Sequence, residues 1–271
     1  MLPVLLDLKF FKIYTFGVFL VLAFFWGSFL LWKNIRLTSH REDEIFDGVF
    51  LSLIGGLFTA RLVYVLLNFK EFGFDVIKFI LINGYPGLSL YGGLLGGVGT
   101  LFLYAMLKKM KFTELVDYFV SPLFLAIAFG KLGSFFSGAE VATKTKLFLA
   151  VKYVGFDGFR HLTALYEALV FFFAAYLSYR VLFEIRKERY THGFLLPIFM
   201  WFFSFNYFVF DKLKEHRLLL LGYSFNKMVS MILLLTASFY FVYYFRSLIK
   251  HYGQKAFKKI HLGSKGKTGK G

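Results

Sequence analysis

Long apolar stretches separated by short charged linkers run through most of this chain. Seven of them approach the length of about 20 residues that a helix needs to cross a bilayer: roughly 11–32, 46–68, 88–107, 113–136, 161–183, 193–211 and 223–245. The pattern predicts an all-α polytopic membrane protein with about seven transmembrane helices. Residues 1–249 are expected to form one transmembrane domain, and the basic, glycine- and serine-rich residues 250–271 a disordered tail.

The composition indicates that the bilayer is the solvent of this chain. Hydrophobic residues make up 58% of the sequence, more than a water-soluble protein of 271 residues could bury. The net charge is +16, and the basic residues lie mainly in the linkers and the tail. This placement predicts contact with anionic phospholipid headgroups and not with nucleic acid. The chain has no cysteine, which excludes disulfides, a cysteine nucleophile and thiolate metal sites; no metal or other cofactor is expected.

The distribution of lysine and arginine predicts how the chain is oriented. These residues are more numerous in the first, third and fifth linkers and the tail than in the remaining segments. The positive-inside rule then places the N-terminus outside and the C-terminus in the cytoplasm. With this orientation, polar residues from five spans fall near the outer face: Arg61, Tyr91, Lys131, Ser134, Arg160, His161, Glu167, Asn206 and Asp211. They predict a hydrated outer-leaflet cavity, although span ends are generally more polar than their middles.

Two ionisable residues lie about two helical turns inside apolar runs. Arg61 is in the second span and Glu167 in the fifth. A charge at such a depth is costly unless it is paired or hydrated. We therefore expect Arg61 and Glu167 to pair with each other, and favour this structural role over a catalytic one.

Two glycine-rich segments each allow a structural and a functional interpretation. Gly92 and Gly96 have the spacing that lets helices pack closely, and the alternative is room for a lipid beside Tyr91. Lys131 lies among small residues near a span end. It either extends towards the headgroups or, with Ser134, captures a lipid phosphate.

Four segments in this order resemble the prolipoprotein diacylglyceryl transferase family. They are 55–64 around Arg61, 90–96 around Tyr91, 130–138 around Lys131, and 160–168, which resembles the family's Arg-His-Pro-Ser/Thr-Gln-Leu-Tyr-Glu most closely. The resemblance covers about Phe11 to Val242. It implies a multi-pass protein of the bacterial cytoplasmic (inner) membrane. Such a protein transfers a diacylglyceryl group from phosphatidylglycerol to the lipobox cysteine of a prolipoprotein signal peptide, leaving glycerol 1-phosphate.

The resemblance also implies roles for individual residues. The nucleophile belongs to the substrate, which agrees with a cysteine-free enzyme. Lys131 with Ser134 is expected to bind the phospholipid phosphate. The catalytic candidates are Tyr91, at the family's histidine position, Glu140, one residue after the position of its glutamate, and His161 as a substitute base. Supporting roles are expected for the remaining matched or neighbouring residues: Arg61, Arg160, Tyr166, Glu167, Asn206 and Asp211.

Several departures from the family pattern leave a second interpretation open. Tyr91 is a poor base near neutral pH, and Lys131 lacks the bidentate fork of the family's arginine. Serines replace its asparagines at Ser134 and Ser137, and Asn206 lies near an arginine position. The alternative is a degenerate member that binds lipid or a membrane partner without transferring a group. A small transporter is less favoured, because the chain shows no repeated halves.

Overall fold

The computed structural model describes residues 2–8, 11–38, 40–81, 84–85, 87–215, 219–220 and 223–246. The predicted tail, residues 250–271, lies outside the described residues. The chain folds as two compact units. Of the described residues, the first unit comprises those within 1–20, 127–174 and 196–246, and the second those within 21–126 and 175–195.

Helices account for most of the described residues, which confirms the all-α membrane fold. They are α1 (Thr15–Ile35), α2 (Glu42–Leu67), α3 (Phe69–Phe72), α4 (Val76–Ile80), α5 (Leu90–Leu107), α6 (Phe112–Ser137), α7 (Thr163–Arg186), α8 (Leu195–Phe210) and α9 (Phe225–Tyr244). Within the described part of the chain, six of them are long and apolar enough to cross a membrane: α1, α2, α5, α6, α7 and α9. The protein is therefore a multi-pass membrane protein.

The predicted sixth span, 193–211, corresponds to α8, which is shorter than expected. Its 16 residues extend about 24 Å at 1.5 Å per residue. The hydrocarbon core of a bilayer is about 30 Å thick. The number of spans and the orientation of the termini therefore stay predictions.

Short antiparallel hairpins accompany the helices. Strands β1 (Val4–Leu8) and β2 (Phe11–Tyr14) pair, as do β3 (Val151–Lys152) with β4 (Phe159–Arg160) and β5 (Leu219–Leu220) with β6 (Tyr223–Ser224). The hydropathy pattern assigns Phe11 to the first span, which is wrong because β2 pairs with β1 and α1 begins only at Thr15. An apolar strand next to an apolar helix is not separated from it by hydropathy.

Helices α2 and α5 approach closely through glycines in the second unit. A Cβ atom on Gly92 would lie 2.7 Å from the Thr59 carbonyl oxygen, and one on Gly96 would overlap the Thr59 hydroxyl. The same hydroxyl donates a hydrogen bond to the Gly92 carbonyl over 2.9 Å. The space beside these glycines is thus filled by α2, as the packing interpretation predicts.

A proline inside α6 is compensated by a side chain from α1. Pro122 has no N–H, so the carbonyl of Tyr118, four residues earlier, loses its helical partner. The buried Asn34 amide donates instead to that carbonyl over 3.0 Å and to the Ser121 hydroxyl over 3.1 Å. This pair of bonds explains why a polar side chain is buried near the end of α1.

Candidate active site

Extended segments after α6 bring distant parts of the chain together in the first unit. Thr143 is central: its N–H donates to the Leu213 carbonyl over 2.8 Å, and its carbonyl accepts from the His161 N–H over 3.2 Å. Ala142 also forms a bridge with Lys214. The pairing places Lys214, which is far from α6 in the sequence, beside the end of that helix.

Four charged side chains form a closed ring, which we call the ion ring. The Lys131 ammonium of α6 lies 2.6 Å from Glu140 Oε1 and 2.6 Å from Glu167 Oε2 of α7. The Lys214 ammonium lies 3.1 Å from Glu140 Oε2 and 2.7 Å from Glu167 Oε1. Positive and negative charges therefore alternate around the ring, and they sum to zero.

The members of the ion ring differ in how accessible they are. Glu167 is fully buried, the Lys131 and Lys214 side chains are 9% and 12% exposed, and Glu140 is 32% exposed. Glu140 also lies in a loop, whereas Glu167 is held within α7. Glu140 is consequently the carboxylate that can leave the ring with the least disturbance.

An aromatic ring from α8 lies beside both ammonium groups. The centroid of Tyr207 is 5.1 Å from Lys131 Nζ and 4.7 Å from Lys214 Nζ. A cation within about 6 Å of an aromatic face is attracted to it. Tyr207 is itself buried, so it holds the two lysines side by side.

Glu140 is ionised in this environment. Burial alone would raise the pKa of Glu140, but the adjacent Lys131 and Lys214 ammonium groups outweigh this effect and lower the pKa to about 2. At neutral pH the two carboxylates of the ion ring neutralise its two lysines, so the ring has no net positive charge that would attract an anion. An incoming anion must therefore replace a carboxylate to reach both lysines.

Residues flanking the ion ring fix the segments that carry it. The buried Arg160 donates to the Ala142 carbonyl over 2.7 Å and to Glu215 Oε2 over 3.0 Å. The Asn206 amide donates to the backbone carbonyl of Glu167 over 3.1 Å, which ties α8 to α7. The supporting roles of Arg160 and Asn206 stay predictions.

The backbone carbonyls of Asp211 and Ser134 accept hydrogen bonds next to members of the ion ring. The Asp211 carbonyl accepts from the Lys214 N–H over 3.2 Å, in the turn that leads to Lys214. Its buried carboxylate has no hydrogen-bond partner among the described residues. The Ser134 carbonyl accepts from the Ala139 N–H over 3.1 Å at the end of α6, just before Glu140.

His161 and Tyr166 are partly buried near the start of α7. The His161 carbonyl accepts a hydrogen bond from the Tyr153 hydroxyl over 3.1 Å, and burial raises the pKa of Tyr153 to about 12. Within the described part of the chain, His161 Nδ1 has no hydrogen-bond partner. The Tyr166 ring lies 6.0 Å from that of Phe210. The proposed role of His161 as a base stays a prediction.

The family follows from comparison of this sequence with known proteins. The sequence profile of prolipoprotein diacylglyceryl transferases matches residues 3–243. The chain belongs to this family. The predicted resemblance is therefore confirmed over nearly the whole sequence.

Several relatives of this diacylglyceryl transferase family member carry the name phosphatidylglycerol–prolipoprotein diacylglyceryl transferase. The protein of Clostridium tetani is 30% identical over 155 residues, which are 56% of this chain and 61% of the relative. That of Clostridium kluyveri is 25% identical over 250 residues, 89% of this chain and 96% of the relative. That of Thermotoga maritima is 28% identical over 242 residues, 83% and 78% of the two chains.

In this family member, Arg61 has a different environment from the predicted one. Its guanidinium, in the second unit, donates to the carbonyls of Phe79, Gly87 and Lys78 over 2.9, 2.8 and 2.7 Å. Glu167, in the first unit, instead binds the two lysines of the ion ring. The expected Arg61–Glu167 pair is thus replaced by other partners for each residue. Arg61 fixes the loop that precedes α5, since its planar fork matches three carbonyls.

The candidate residues thus divide between the two units. Tyr91 is buried in the first turn of α5, in the second unit. Three predicted residues, Lys131, Glu140 and Glu167, meet in the ion ring of the first unit. Sequence reasoning missed Lys214 and Tyr207. Lys214 looked like an ordinary linker charge, and Tyr207 like one of many aromatics in an apolar run.

Proposed function

We propose that this chain is a phosphatidylglycerol–prolipoprotein diacylglyceryl transferase of the bacterial cytoplasmic membrane. Membership of the family over residues 3–243 supports this proposal. So do the apolar helices and the names of the bacterial relatives. The substrates are phosphatidylglycerol, among the anionic phospholipids that the basic chain attracts, and the lipobox segment of a prolipoprotein signal peptide.

The reaction defines what this chain must supply. The substrate's cysteine sulfur attacks the carbon of the diacylglyceryl unit that is bonded to the phosphate oxygen, so a C–S bond forms and that C–O bond breaks. Glycerol 1-phosphate leaves, and the thiol proton passes to a base. The enzyme needs cations that stabilise the departing phosphate and a group that accepts the proton.

The ion ring is the observation that carries the assignment of the site. Lys131 and Lys214 both contact Glu140 and Glu167, so their ammonium groups converge on one small region. We infer that the lipid phosphate takes the place of Glu140 between the two lysines. Glu167 stays in position, because it is fully buried in α7. A phosphate with several oxygens suits two ammonium donors as well as a carboxylate does.

Displacement of Glu140 also makes this carboxylate a better proton acceptor once the lipid phosphate is bound. Between the lysines, the pKa of Glu140 is held at about 2, which makes it a very weak base. Once the phosphate neutralises the lysines, this pKa rises, and Glu140 lies next to the reacting lipid. Glu140 is therefore the first candidate for taking the thiol proton, with His161 and Tyr91 as the alternatives predicted from the sequence.

The test is transfer by the full-length chain in cells depleted of their own diacylglyceryl transferase. We expect lipid-modified prolipoprotein with the natural chain and none with Lys131→Ala or Lys214→Ala. Lys212→Ala is the matched control, because Lys212 is an exposed lysine two residues from Lys214. It should retain transfer.

The degenerate alternative makes a different prediction for the same protein. Its basis is the departure from the family pattern at Tyr91, Lys131, Ser134 and Asn206. Purified protein in its native lipids, given phosphatidylglycerol and a lipobox peptide, would then bind the lipid but form no thioether product. That outcome would refute the transferase proposal and support a lipid-binding role.

A further inference from the structure

A second surface of the first unit lies outside the ion ring, in the segment 144–156, which we call the 144–156 loop. Several of its apolar side chains are exposed: Phe148 is 91% exposed, Val154 65% and Leu147 56%. Ordinary exposed loop tips are small and polar. A cluster of exposed apolar groups marks a surface that contacts another partner.

The charges of the 144–156 loop indicate what that partner is. The loop contains three exposed lysines, Lys144, Lys146 and Lys152, and no aspartate or glutamate. Aromatic and aliphatic side chains combined with lysines are typical of segments that lie in a membrane interface. Each lysine near an anionic membrane surface adds attraction to the headgroups.

The position of the loop in the chain supports the same partner. It lies between α6, which ends at Ser137, and α7, which begins at Thr163, and both are helices long and apolar enough to cross a membrane. The connection between them, residues 138–162, therefore starts and ends at a membrane surface. Its base is pinned by the Thr145 N–H, which donates to the Phe159 carbonyl over 2.9 Å. The exposed apolar side chains of the loop therefore extend from a base that is fixed by this hydrogen bond.

We propose that the 144–156 loop docks on the surface of an anionic phospholipid bilayer. Phe148 and its apolar neighbours enter the boundary between headgroups and acyl chains, and the three lysines contact the headgroups. The base of the loop follows Ala142, which forms a backbone bridge with Lys214. Docking therefore holds the ion ring near the depth of the lipid phosphates. This inference concerns an interaction surface and holds whether or not the chain transfers a diacylglyceryl group.

The test uses the absence of natural cysteines in this chain. Phe148→Cys is labelled with an environment-sensitive fluorophore, and the full-length protein is reconstituted in vesicles of phosphatidylglycerol and phosphatidylcholine. Asp157→Cys is the matched control, an exposed polar position in the same connection. We expect nitroxide-labelled lipids to quench the label at position 148 several-fold more than the label at position 157. Aqueous iodide should show the opposite order.

The contribution of the lysines is tested separately. Replacing Lys144, Lys146 and Lys152 by glutamine should reduce lipid quenching at position 148 in vesicles rich in phosphatidylglycerol and leave it unchanged in phosphatidylcholine alone. Thermal unfolding of each variant checks that the fold is retained. Equal quenching of positions 148 and 157 by iodide would overturn the proposal. Protection of position 148 that appears only when lipobox peptide is added would also overturn it, and would identify the peptide as the occupant.

Discussion

Replacing Glu167 by glutamine should destabilise the protein more than the same change at Glu140. Glutamine has nearly the same shape as glutamate, so the substitution removes a charge without opening a cavity. In both variants the ion ring keeps two lysines and one carboxylate. The difference between the variants therefore reports how well water can compensate the lost charge at each position.

The structure sets the size of the expected difference. Glu167 is fully buried, with one carboxylate oxygen 2.6 Å from Lys131 and the other 2.7 Å from Lys214. Removing one partner of a buried ion pair costs about 3–5 kcal/mol. Glu140 is 32% exposed, so solvent screens its lysines, and about 1 kcal/mol is expected there. At about 2–4 °C per kcal/mol, Glu167→Gln should lower the unfolding temperature by about 10 °C and Glu140→Gln by a few degrees.

The assay is the thermal unfolding midpoint of the purified full-length protein in detergent with phosphatidylglycerol. The control is the double variant Glu167→Gln with Lys131→Met, which restores a neutral ring. Because the two residues are in contact, their effects should be strongly non-additive, with the double variant closer to the natural chain than the sum predicts. Equal destabilisation by Glu140→Gln and Glu167→Gln, or additive effects in the double variant, would refute the charge argument.

Three further predictions concern residues outside this comparison. Asn34→Ala leaves the Tyr118 carbonyl unpaired and should lower the free energy of unfolding, followed by thermal unfolding, by about 1–3 kcal/mol. Adding Pro122→Ala, which restores the helical N–H, should recover most of this loss. No recovery would contradict our explanation of Asn34. Arg61→Lys loses the planar fork that binds three carbonyls and should lower the unfolding temperature more than Arg36→Lys, an exchange at an exposed position. The pKa of Glu140 is about 2 against an ordinary 4.5, so the stabilising effect of the ionised carboxylate is complete above pH 4.5 and is lost as the pH falls towards 2. The difference in unfolding temperature between the natural chain and Glu140→Gln should therefore stay constant from about pH 5 to 8 and shrink below that range.

The long helices could be predicted closely from the sequence, because each contains a long run of mostly apolar residues. Predicted spans such as 113–136 and 223–245 differ from α6 and α9 by only one or two residues at each end. The first span is less accurate, since β2 is also apolar and joins α1 directly. Hydropathy measures the average environment of a segment, and it does not distinguish a strand from the first turns of a helix.

The candidate site could be predicted only in part. The sequence predicts Lys131 and Glu167 because they lie in segments that resemble a family pattern, and Glu140 because it closely follows one of these segments. Lys214 was missed, because its role depends on backbone pairing between segments about 70 residues apart along the chain, such as Thr143 with Leu213. Arg61 was given a carboxylate partner because a buried guanidinium requires compensation. Three backbone carbonyls meet the same requirement, and composition does not reveal them.

The closed ion ring also bears on how a reaction cycle ends. Glu140 is a tethered anion that occupies the place we assign to the phosphate, so it competes with glycerol 1-phosphate from within the same molecule. A tethered group acts at an effective concentration far above that of a free solute. The returning carboxylate therefore limits how long the product remains bound, and turnover does not depend on the product leaving an otherwise empty, strongly cationic site. A variant such as Glu140→Gln would release added glycerol 1-phosphate more slowly than the natural chain.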